Sequence, residues 1–83
     1  MTRFQILYWQ EVPSLVRTFA VDGTPTSHQL PDWFQQEIDR QAMAQGLVGS
    51  DAYLEQWHWG EPQERPEAPA ELVDALAREL GPQ

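Results

Sequence analysis

The chain has 83 residues, with 13 Asp or Glu against five Arg and no Lys, and a formal net charge of −8. That length allows one small core with a thin stability margin, and the charge disfavours nucleic acid and anionic membrane surfaces as partners. Without Cys, disulfides, thiolate chemistry and Cys-ligated metals are excluded.

Phe4 to Gln10 reads as a strand, with Phe4, Ile6 and Tyr8 on one face and Leu7 and Trp9 on the other. Glu11-Val12-Pro13-Ser14 predicts a turn, because Pro13 lacks an N–H and pushes Val12 toward an extended shape. Leu15 to Val21 predicts a second strand, in which Val16, Thr18 and Ala20 alternate with Leu15, Arg17, Phe19 and Val21. Asp22-Gly23 is a hairpin signal, since both residues tolerate positive φ. Thr26 to Leu30 is polar and begins beside Pro25, which predicts an edge strand.

From Pro31 the period changes. Phe34, Ile38 and Ala42, joined by Trp33 and Met43, mark an amphipathic helix that Gly46 stops. A second helix is expected from a Ser50 cap, with Tyr53, Leu54 and Trp57 on its buried side and an end at Trp57-His58-Trp59-Gly60. The acidic, proline-rich residues 61–69 read as a linker. Residues 70–83 predict a terminal helix with Pro69 at its start, an apolar stripe of Leu72, Val73, Leu76 and Leu80, and Gly81-Pro82 at its end. The expected fold is α+β: a two- or three-stranded antiparallel meander packed by two helices within residues 1–60, followed by the linker and the terminal helix.

No catalytic constellation emerges. The serines lack nucleophile surroundings, the glycines lack phosphate-loop spacing, and Glu37 with Arg40 at i, i+3 is a surface pair. No metal site is expected, because His28 and His58 are isolated from each other and from further ligands. The aromatic residues remain. Tyr8, Trp9, Trp57, His58 and Trp59 are the candidate partner or ligand contacts, because four Trp side chains are a large load for one small core and aromatics are enriched at interfaces.

Several ordered elements carry a family resemblance: Tyr8-Trp9-x-Glu11-Val12-Pro13, Leu30-Pro31-Asp32-Trp33-Phe34, Ile38-Asp39-Arg40-x-Ala42-Met43, Gly46-Leu47, Gly49-Ser50-Asp51-Ala52-Tyr53-Leu54 and Trp57. Over roughly residues 4–59 the chain resembles the small bacterial virulence factor domain family, whose domain also occurs in the larger conserved virulence factor C proteins. The resemblance implies no reaction and no catalytic residue. It places basic residues in the second and third strands where this chain has Thr18, Thr24 and Thr26, so that sheet is not expected to contact anions.

The expectation is therefore a non-catalytic protein-interaction module, not an enzyme, with no cofactor and an unknown protein partner. The alternative is a small-ligand-binding or enzyme-accessory domain. The chain is expected to be a monomer or weak homodimer. No apolar run approaches the roughly 20 residues a bilayer requires, and the N-terminus does not read as a signal peptide, so a cytoplasmic location is expected.

Overall fold

The structure is a computed structural model and describes residues 1–81, so the expected stop at Pro82 lies outside the described residues. Strand β1 (Thr2–Trp9) turns at Gln10-Glu11 into β2 (Val12–Phe19), and β3 (Pro25–Gln29) follows. Helices α1 (Asp32–Ala44) and α2 (Asp51–Glu55) precede two short strands, β4 (Trp57–Trp59) and β5 (Gln63–Arg65), and α3 (Pro69–Leu80) closes the chain. All pairings are antiparallel. The order is β3-β2-β1, with β4 and β5 lying end to end along the free edge of β1.

Among the described residues, five strands replace the expected two or three. Residues 57–59 are strand and not helix end, because Trp, His and Trp suit a pleated surface and β1 offers an unpaired edge. The stretch expected as a linker contains β5, whose polar Gln63-Glu64-Arg65 pairs through its backbone with Thr2, Arg3 and Phe4. Pro13 lies inside β2, opposite Tyr8 and beside a register shift. That irregularity is where a strand tolerates a residue without an N–H. Asp22-Gly23 turns as expected, with Gly23 at φ +91° and the Asp22 carboxylate accepting the Thr24 N–H at 2.9 Å.

The core lies between one face of the sheet and the helices. Phe4, Ile6 and Val16 meet Leu30, Phe34, Leu72 and Leu76 in a first cluster, and Trp9 and Val12 meet Ile38 and Ala42 in a second. Phe34, Ile38 and Ala42 are the buried stripe of α1. Trp33 and Met43, expected to join that stripe, are 38% and 67% exposed, since their offset turns them off the arc facing the sheet. Gly46 stands at φ +71° beyond the helix end, the left-handed position that stops it. Ser50 precedes α2 without a side-chain cap; its hydroxyl donates instead to Leu47 O at 2.6 Å. Tyr53 and Trp57 pack against the second cluster as expected, but Leu54 is 66% exposed.

Helix α3 docks on its own sheet through Leu72 and Leu76, with Val73 and Ala77 at the edge of the same cluster. Arg65 ties its end to β5 by donating to Glu67 and Glu79 at once, and Thr2 Oγ1 donates to Glu67 O at 2.6 Å. Hydrogen bonds from Arg65 hold the carboxyls of Glu67 and Glu79 below the ordinary value. Groups with a depressed folded-state pKa stabilise the fold above their unfolded value, and that contribution is lost as pH falls through the folded value. Arg65→Gln should therefore melt lower than the parent at pH 7, and the gap should close on acidification below roughly pH 4. A gap that stays constant from pH 7 to 3 would remove the ion pairs as its cause.

Candidate functional site

The β1–β4 pairing collects the five aromatic candidates, but not on one surface. Its register sets Leu7 against Trp59, Tyr8 against His58 and Trp9 against Trp57. Directly paired residues share a face, so Tyr8 stands with His58 and Leu7 with Trp59; Tyr8 packs at the edge of the first core cluster, whereas Trp59 reaches Arg17. Tyr8 and His58 stack at 5.6 Å between ring centroids. His58 Nε2 lies 2.8 Å from Gln10 O; a carbonyl only accepts, so that nitrogen carries the proton. Trp57 is half-buried and meets Tyr53 edge-on.

Trp9 is a correction to the candidate set. It is 0% exposed, its ring leans on Tyr53, and its indole N–H donates to Tyr53 O at 2.9 Å. Strict alternation groups it with Leu7, but the strand pairing is irregular between Leu7 and Tyr8. Beyond that point Trp9 is enclosed by Val12, Ile38 and Ala42. It is a core residue.

Gly60 shapes the same edge. Its N–H donates to Ile6 O at 2.8 Å, and a Cβ there would stand 2.9 Å from Tyr8 Cε2. The Tyr8 ring fills the space a side chain would take. Gly60→Ala should cost about 1–3 kcal/mol, the usual range for overpacking, read as a lowered denaturant midpoint. An unchanged midpoint would mean the Tyr8 ring swings away freely.

The other face of the sheet is open. The register brings Leu7 beside Leu15 and Trp59, Gln5 beside Arg17, and Phe19 beside Arg3, and none of these residues is buried. Trp59, 39% exposed, leans across β1 to Arg17. The Arg17 guanidinium carbon sits 3.9 Å from the Trp59 ring centroid and 5.4 Å from that of Phe19. Nη2 donates to Gln5 Oε1 at 3.2 Å, while Gln5 Nε2 donates to Gly60 O. The result is a cation held among aromatic and apolar side chains, in contact with water.

A family model described as Virulence factor matches residues 7–83. The chain belongs to this family. No curated protein and no solved structure matches the chain. The Virulence factor match extends past residues 4–59, the stretch of the sequence resemblance, to take in β5 and α3. The family domain therefore includes the helix that completes the core.

Elsewhere in this Virulence factor domain, Asp39, Ala42, Met43, Val48, Gly49 and Tyr53 line an apolar hollow of about 290 Å³ between α1 and the start of α2. Its lining includes none of the five aromatic candidates. Among the described residues, no group of three His, Asp or Glu side chains is placed to hold a metal ion, and no helix is long and apolar enough to cross a membrane.

Two residues of consequence were missed in the sequence. Arg17 was placed only as one member of an alternating strand, although it and Phe19 share its outward side. Gln10 has φ +53°, a strained conformation for a non-glycine residue that its surroundings must hold. Its N–H donates to Gln56 O at 3.1 Å, and its side-chain amide exchanges two hydrogen bonds with that of Gln45. Together with His58 this joins the first hairpin to α1, α2 and β4. No local sequence signal marks it.

Proposed function

We propose that this Virulence factor domain is a non-catalytic protein-interaction module that works through the open face of its sheet. The observation that carries the reading is the grouping of Trp59, Arg17, Phe19, Leu7 and Leu15 on a face that α1 and α3 leave uncovered. Trp and Arg are the residue types that dominate binding energy at protein interfaces. Apolar area taken out of water there is worth about 25 cal/mol per Å² before the costs of association. In this reading the partner is a protein, the setting is the bacterial cytoplasm, and the chain needs no cofactor.

A second reading, a small-ligand-binding or enzyme-accessory domain, is favoured by the hollow beside Met43 and Tyr53, with Asp39 as its charged group. Affinity capture from the native cell separates the two, with wild type, Trp59→Ala and Met43→Asp as baits. We expect a protein that wild type and Met43→Asp retain and Trp59→Ala loses. Loss with Met43→Asp alone would favour the hollow.

A further inference from the structure

A partly desolvated charge costs free energy unless it is paired. Arg65 has Glu67 and Glu79, and Arg40 has Glu37. Arg17 makes no ion pair among the described residues, in a chain where acidic residues outnumber basic ones 13 to five. Its Nε is shut off from water and has no hydrogen-bond acceptor. Among the described residues its one acceptor is the neutral amide oxygen of Gln5. Glu64, opposite Arg3, is the carboxylate that the strand register places on this face, toward the far end of β1. The fold thus strips part of the water from a cation, lays it on an indole ring and supplies no anion from the described residues.

We infer that Arg17 is the anchor for a carboxylate of the partner protein: an Asp or Glu side chain next to an apolar residue, the latter resting on Leu7, Leu15 and Trp59. This rests on the open face being the interaction surface. With Nε shut off and Nη2 shared with Gln5, the Nη1–Nη2 end of the guanidinium is the edge left to donate to a carboxylate. The net charge of −8 does not oppose a single carboxylate in contact, because charges beyond about 8 Å are screened at physiological salt. It does oppose a polyanion, whose affinity needs many cations. Arg17 lies in β2, one residue before Thr18, on a sheet where the family resemblance implies no anion contact.

The test is selection of a random-peptide display library on the full chain, followed by affinity measurement of the enriched peptides. We expect peptides with Asp or Glu beside an apolar residue, weakened at least tenfold by Arg17→Gln and by Trp59→Ala. Changing the peptide's acid to its amide should cost the same factor on wild type and nothing further on Arg17→Gln. Arg17→Lys, which keeps the charge without the forked geometry, should lose most of the affinity, and it serves if Arg17→Gln fails to fold. Peptides without an acid that need Trp59 but not Arg17 would overturn the carboxylate and leave the interaction face standing. A library with no Trp59-dependent binder would remove both. A dimer, or a complex with single-stranded DNA, that Arg17→Gln abolishes would overturn the inference in favour of those occupants.

Discussion

A chain ending at residue 60 should not fold cooperatively. The sequence suggested the reverse, a self-sufficient domain with a detachable acidic arm, because residues 61–69 have linker composition and the last helix is too short to be stable alone. Packing argues against the arm. Leu72 is fully buried and Leu76 nearly so, both in the cluster that holds Phe4, Ile6, Val16 and Phe34. Replacing either Leu with Ala should cost about 2–5 kcal/mol. Truncation removes both, together with β5, the Arg65 ion pairs and the Thr2–Glu67 hydrogen bond. Native small domains have only about 5–15 kcal/mol to lose. Tryptophan fluorescence of fragment 1–60 in a denaturant titration is the check; a sigmoidal transition like that of the full chain would restore the detachable arm.

Trp9→Ala should be the most damaging single substitution. Truncating a buried Trp costs about 3–5 kcal/mol, and here it also removes the indole N–H that Tyr53 O accepts, leaving that carbonyl only the longer hydrogen bond from Gln56 N–H. Trp59→Ala, on the open face, should by comparison leave the unfolding midpoint close to that of wild type. Equal losses for the two variants would mean the two faces of the sheet have been assigned the wrong way round.

These two tryptophans mark how far the sequence could be read. Where burial follows a single period the reading was sound. Phe34, Ile38 and Ala42 are the buried stripe of α1, and Leu72, Ala75 and Leu76 that of α3, although Leu80, expected in that stripe, is 38% exposed at the helix end. Turn chemistry was also legible at Asp22-Gly23 and Gly46. The failures share one cause, that long-range pairing leaves little mark on composition. β5 is polar and proline-flanked, and it is a strand only because the edge of β1 accepts its backbone hydrogen bonds. β4 read as the end of a helix for the same reason. Trp9 was misplaced by an irregularity in the pairing, which breaks the period of two on which face assignments depend. The candidate site was half visible: Trp59 was named, but its alliance with Arg17 needs two strands in register.

The most direct test of the interaction face is nuclear magnetic resonance cross-saturation on the labelled full chain bound to its captured protein partner. Attenuation at the Leu7 and Leu15 methyls and at the Phe19 and Trp59 rings is the result we predict. Attenuation confined to Met43, Val48 and Leu54 would contradict it and move the contact to the hollow beside α1.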